Sequence, residues 1–324
     1  MKRISLPFIG FLLLIISCNK LDESKSINDS ETLNTEITQR SCGTTEALAQ
    51  QLIADPSLQK RMDAIEAYTK KVIHNPEKYR LVDGVITIPV VVHVVYRTTA
   101  ENISDGQVQS QIDVLNEDYN NTNQDKALVP ASFASVDASV GVKFVLDRII
   151  RKKTNKTSWS TNDAVKKSKL GGDDAIDATT YLNMWACNLG QGLLGYAQFP
   201  GGSLATDGVV ILYSAFGRTG TLINTYNKGR TATHEVGHWM NLRHIWGDAN
   251  CGNDLVNDTP PAATANYGCP GYPKYTTCTG GQPEMTMNYM DYTDDACMYM
   301  FSNGQKSRAL AVFTANGPRA AIGK

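Results

Sequence analysis

The stretch RTATHEVGHWMNLRHIWGD, Arg230 to Asp248, holds three of the five histidines in a chain of 324 residues. His234 and His238 are four apart, so on a helix both imidazoles lie on one face, a turn apart, close enough to grip one ion. Zinc prefers imidazole nitrogen, and a catalytic zinc keeps three protein ligands with a position left for water. Glu235 is a carboxylate beside that water, so the H-E-x-x-H spacing supplies two ligands and a general base in five residues. His244 lies six residues past His238, and one straight helix would throw it to a different face and height. The helix therefore has to stop between them. In the extended pattern H-E-x-x-H-x-x-G-x-x-H, a glycine ends the helix in a left-handed conformation and swings the last histidine back. Here that position is Asn241, the residue other than glycine that most readily takes a positive φ. H-E-x-x-H alone also occurs on metal-free surface helices; the third histidine and the turn-forming residue between favour the metal reading.

Outward from this motif, composition sets bounds. With 42% hydrophobic and 19% charged residues the chain can bury a full core. A net charge of -1 and a pI near 6.5 show no basic excess, which argues against nucleic acid as a partner. Lys2 and Arg3 precede the apolar run LPFIGFLLLII, too short to span a bilayer comfortably but right for a secretory signal. The protein is expected to be exported. The run ends in IISC, which resembles a bacterial lipobox with Cys18 as the lipidated residue; an ordinary signal peptide with an incidental cysteine is the alternative. Localisation is thus read as cell-envelope lipoprotein or secreted, with any membrane contact made through the N-terminal lipid.

Four segments follow from this: a signal peptide over 1–17, a polar flexible tether over 18–41, a helical prosegment over 42–84 and a catalytic domain over 85–324. The prosegment reads as two helices between Thr44 and Ile73, broken at Asp55-Pro56-Ser57. Val85 to Tyr96 is the first clear strand, Ser104 caps a helix through Tyr119, and Val140 to Asp147 returns as a strand. Arg151 to Asp163 reads as a polar loop. YLNMWACNLG and DGVVILYSAFG read as further strands, separated by the glycine-rich GQGLLGYAQFPGGS. A last helix spans about Ser302 to Phe313.

HEVGHWMNLRH, together with MNYMDYTDDACMYMF, IPVVVHVVY, LLGYAQFPGG and DGVVI, resembles the metzincin clan of zinc endopeptidases, and within it the pappalysin and cytophagalysin (ulilysin-like) group. The resemblance covers roughly Ile88 to Phe313. It implies an α+β (α/β) catalytic domain: a mixed twisted sheet with a backing helix and an active-site helix above, and an irregular lower subdomain closed by a C-terminal helix. It implies that Met290 lies in a tight turn beneath the zinc, where a thioether packs rather than reacts. It also puts Tyr292 beside the metal, as a switchable ligand or oxyanion stabiliser, with a structural phenol as the alternative.

The seven cysteines divide by position. Cys251, Cys269, Cys278 and Cys297 in an exported chain imply two disulfides in one of three pairings. The resemblance favours Cys251 with Cys278 and Cys269 with Cys297. Cys187 reads as a buried small hydrophobe. Cys42, in QRSCGTTE, resembles the cysteine switch of proforms in this group: a free thiol near zinc binds it and displaces the catalytic water. A stray cysteine is the alternative. Leader removal, by a cut between the helices and Val85, would then activate the enzyme. Asp254, Asp258 and Thr259 concentrate oxygen ligands suited to calcium, a composition that an ordinary solvated loop shares.

The expected activity is zinc-dependent hydrolysis of peptide bonds in extended protein or peptide substrates. They would lie antiparallel to GVVIL as the edge strand, with Asp294 and Asp295 favouring a basic residue after the scissile bond. The chain is expected to act as a monomer. A peptidase taking a glutamate as third ligand is disfavoured by His244, and an adhesion or binding lipoprotein by the intact Glu235. An exported zinc amidase of narrow specificity stays open.

Overall fold

A computed structural model describes residues 37–77 and 86–322. The signal segment, Cys18, the tether as far as residue 36 and the expected activation region next to Val85 lie outside the described residues. Among the described residues no helix is long and apolar enough to cross a membrane.

The leader forms α1 (Thr44–Ala54) and α2 (Ser57–His74). They part at Asp55-Pro56, where proline at the head of α2 suits a helix start. Arg40 and Ser41, read from sequence as the end of the tether, are instead fixed: Arg40 is buried, and Ser41 O accepts from Leu194 N at 2.9 Å.

The sheet is built from β1 (Ile86–Tyr96), β2 (Val142–Lys153), β3 (Leu182–Cys187), β4 (Gly195–Ala197) and β5 (Val209–Leu212), ordered β2-β1-β3-β5-β4. The first four positions are parallel, and β4 runs antiparallel to β5. Helix α3 (Asp105–Tyr119) connects β1 to β2, with Ser104 Oγ accepting from Gln107 N as its cap. Strand alternation divides the core in two. Val90, Val92, Val94, Met184, Ala186, Val209 and Ile211 face Val108, Ile112 and Leu115 of α3 and Val236 of α4 (Arg230–Trp239). Val95, Trp185, Val210 and Leu212 face the opposite side, with Tyr196 and Ala47 of the leader. Such two-faced burial explains why these strands read as continuous apolar runs.

Two sequence expectations are corrected. β2 runs to Lys153, taking in Arg151 to Lys153 of the expected polar loop; as an outer strand it leaves cationic side chains free to reach water. GVVIL is not the edge. The glycine-rich stretch contributes β4, whose short antiparallel pairing covers β5; its strand character comes from that pairing, since Gly-Tyr-Ala carries little propensity of its own.

Below the sheet, residues 251–297 have little regular structure, and α5 (Asn303–Ala311) follows them. Disulfides join Cys251 to Cys278 and Cys269 to Cys297. Cys187 is buried and free.

Candidate active site

Helix α4 starts after Gly229, whose φ of 74° is the left-handed turn that aims the helix across the sheet. It runs to Trp239, and the chain reverses at Asn241, φ 70°. Leu242 N donates to Gly237 O and Asn241 N to His238 O, both 2.9 Å, the paired bonds of a left-handed helix stop. Asparagine therefore does here what glycine does in the extended motif. The reversal sends Leu242 O back to His238 Nδ1 at 2.9 Å and lets His244 rejoin the other two histidines.

The three rings converge through one kind of atom. His238 Nε2 lies 3.2 Å from His234 Nε2 and 3.1 Å from His244 Nε2. Each Nδ1 is taken by an acceptor: Tyr289 O at 2.7 Å for His234, Leu242 O for His238, and Asp248 Oδ1 at 2.6 Å for His244. An Nδ1–H donated outward leaves a lone pair on each Nε2 facing the same point. Three lone pairs so close repel unless a cation lies between them, so the donor set fits zinc. Burial and the two neighbouring imidazoles hold His234 well below the usual histidine range, and burial holds His238 down at about 3, which keeps both rings in the neutral, ligating form. Cys42 Sγ joins them: the four ligand atoms lie within 4.8 Å of one another, and no other group of three or more such residues was found among the described residues.

Glu235 is buried against this centre. Its Oε2 accepts from Thr44 Oγ1 at 3.0 Å and from the Cys42 thiol at 3.3 Å. Burial, only partly offset by those hydrogen bonds and by the Arg40 charge, pushes its carboxyl up to about 7. A Cβ added at Gly195 would come within 2.8 Å of Glu235 Cγ, so β4 needs glycine for this carboxylate to fit.

Met290 is fully buried beneath α4, and a Cβ at Gly237 would collide with its Sδ. Tyr292 stands among His234, His244 and Trp246, with its hydroxyl donating to Cys42 O at 3.3 Å. The hydroxyl thus meets a carbonyl directly beside the metal centre.

The leader lies along β4 in the same direction, Cys42 opposite Gly195. One residue earlier than Ser41, the Arg40 guanidinium donates to Asp295 Oδ1 at 2.6 Å, to Thr293 O at 3.1 Å and to Thr231 Oγ1 at 3.2 Å, over the ring of Tyr226. Asp295 Oδ2 accepts from Lys228 N and Arg230 N at the head of α4. Asp294 lies close enough to feel the charges of Arg40 and Asp295.

Of the calcium candidates, Asp254 and Thr259 meet each other, Thr259 Oγ1 donating at 2.7 Å, and Asp258 is held at the start of α5, where it accepts from Ser302 Oγ and Gly304 N. Sequence reasoning missed Arg40, Thr44, Gly195, Gly237 and Asp248. Only Asp248 carried a signal, a carboxylate four residues after a metal-binding histidine.

Comparison with known proteins follows the same lines. The M43 peptidase family model, described as pregnancy-associated plasma protein-A, matches residues 165–314. An extracellular metalloprotease of Arthroderma otae is 34% identical, covering 69% of this chain and 76% of its own. One from Colletotrichum graminicola is 32% identical, covering 87% and 93%. Among solved structures, a promirolysin point mutant from Tannerella forsythia is similar at 43% identity and TM-score 0.79, covering 88% of this chain and 97% of its own. Mature mirolysin with a cleaved peptide is similar at 47% identity and TM-score 0.72, covering 75% and 97%.

Proposed function

The chain belongs to the M43 peptidase family and is a zinc metalloprotease, and from that premise we propose that it is an exported endopeptidase made latent by its own leader. The observation that carries the latency is the placement of Cys42 Sγ among the three histidine nitrogens. Similarity to promirolysin over 88% of the chain, against 75% for the mature form, supports reading the leader as a prosegment.

Chain direction explains how a peptide can sit in a protease and survive. The leader is parallel to β4, whereas a substrate adding a strand would run antiparallel and present its carbonyl to Glu235 and Tyr292 with the opposite sense. The mirolysin complex with a cleaved peptide supports an extended substrate in this cleft. Arg40, on Asp295, occupies the side where the residue after the scissile bond would fall, which supports a basic preference there.

Bound zinc supplies Lewis-acid polarisation of water and of the scissile carbonyl. Glu235 takes the water proton, its raised affinity for protons suiting it to hold and then pass that proton to the leaving amine. The Tyr292 hydroxyl donates to the developing oxyanion from the position where it now meets Cys42 O. Backbone groups of β4 hold the substrate strand.

The relatives' description as extracellular supports export. Cys18 after IIS is proposed as a lipid attachment site; intact mass of membrane-extracted protein reads the added acyl groups, and an unmodified N-terminus would remove the anchor.

The test compares four proteins for zinc content and casein cleavage: the full chain, its leader-free product, a full-length Cys42→Ala variant and a leader-free Glu235→Ala variant. The expected result is one zinc in each, a silent full chain, an active product and a partly active Cys42→Ala chain. Glu235→Ala should lose cleavage by about 10²–10⁴. An active full chain would remove the latency reading, and a leader-free protein with zinc that spares every protein substrate would favour the narrow amidase.

A further inference from the structure

The leader also reaches α5, away from Arg40 and Cys42. Glu66 of α2 meets Arg308 of α5 in a two-pronged pair, Nη1 to Oε1 at 3.2 Å and Nη2 to Oε2 at 2.6 Å. Arg308 is only 1% exposed, and its Nε donates to Asn241 O at 2.7 Å. Among the described residues, Glu66 supplies the partners of both terminal nitrogens. Arg243 lies close enough to feel the charges of Arg308 and Glu66. Two more carboxylates lie near: Asp248, hydrogen-bonded to His244, and Asp254, which accepts from Thr259 Oγ1 and Val256 N; the charges of both reach Arg243. When the leader leaves, the two terminal nitrogens of Arg308 lose the carboxylate that takes them, with the Arg243 charge nearby.

The position of Arg308 along the cleft follows from the leader's own path. Cys42 lies opposite Gly195, Ala197 N donates to Thr44 Oγ1 at 2.9 Å, and Arg61 Nε donates to Gly201 O at 2.7 Å. The leader thus advances with the upper rim toward Gly201, and α2 reaches from Gly201 above to Asn241 and Arg308 below. A substrate of opposite direction places the residues that precede the scissile bond at this end.

We propose that Arg308 with Arg243 forms, in the leader-free enzyme, a subsite for a carboxylate side chain of the substrate, about two to four residues before the scissile bond. Glu66 occupies this subsite in the latent protein. A buried guanidinium gains from a carboxylate that can accept two parallel hydrogen bonds, and loses when its terminal nitrogens are desolvated without one. The inference rests on the endopeptidase reading and on an antiparallel substrate.

The experiment uses the full chain matured by proteolysis, with loss of the leader checked by intact mass and zinc content measured. A reference peptide carries Arg after the scissile bond and Gln at the second, third and fourth positions before it; three further peptides replace one Gln each by Glu. One Glu position should raise kcat/KM about tenfold, through KM, with the gain shrinking as salt rises. Arg243→Gln and Arg308→Gln should bring the Glu/Gln ratio toward one; because Arg308 also braces Asn241, the Arg243 variant provides a reading independent of that brace. Equal kcat/KM for Glu and Gln at all three positions overturns the subsite while cleavage of the reference peptide leaves the endopeptidase standing. A zinc-loaded, leader-free enzyme that spares the reference peptide overturns the endopeptidase reading, and the subsite with it.

Discussion

Single side chains decide whether the metal centre can form at all. Asn241 has to hold a φ of 70° for His244 to return to the other ligands. Asn241→Gly should be close to neutral, whereas Asn241→Val should cost about 1–2 kcal/mol, the penalty of a left-handed branched residue; thermal unfolding and zinc affinity of the two variants read the difference. Gly237 is constrained by what lies beneath it. Gly237→Ala drives a methyl into Met290 Sδ, and overpacking of a filled core costs about 1–3 kcal/mol. A melting temperature unchanged by that substitution would show that the methionine can step aside. At this scale the sequence was informative wherever chemistry is local. The ligand spacing and the turn at Asn241 could be read in eleven residues, but Gly237 looks like any helical glycine until the Met290 turn, more than fifty residues away, is placed under it.

Elements were legible in proportion to how much of their pattern is their own. β1 and β3 announce themselves because both faces are buried, and α3 because Ser104 caps an apolar repeat. β4 could not be read, since Gly195-Tyr196-Ala197 becomes a strand only through its partner β5. α5 shows a similar dependence at its start. Ser302 Oγ caps Gln305 N while donating to Asp258, and the Gln305 side chain returns to Ser302 N. Ser302→Ala should cost about 1 kcal/mol in unfolding free energy, and Asp258→Ala should cost a comparable amount through the same helix end. If calcium added to the wild type raises its melting temperature and Asp258→Ala abolishes that rise, Asp258 has a second role beyond the helix end.

For the whole molecule, distant segments share one centre. The leader supplies Cys42, the sheet edge supplies Gly195, α4 supplies three catalytic side chains, and the lower region supplies Tyr292 and Asp295. No single segment predicts such an assembly, which is why Arg40 read as tether: its hydrogen-bond partners lie more than 190 positions away. Chelation should therefore loosen more than the histidines. Removal of zinc from the full-length chain is expected to lower its melting temperature and to speed proteolysis within the leader; identical digestion of metal-free and metal-loaded protein would show that the leader holds without the ion. The two disulfides carry a consequence of another kind. They overlap, with Cys269 lying between Cys251 and Cys278. Cys297 sits two residues past the aspartate that grips Arg40 and steadies the head of α4. A chain still in a reducing cytosol lacks these cross-links, so the region that holds Arg40 is completed only after export. With the latency proposed for the leader, the cell that makes the protein would be shielded twice, once by chemistry and once by location.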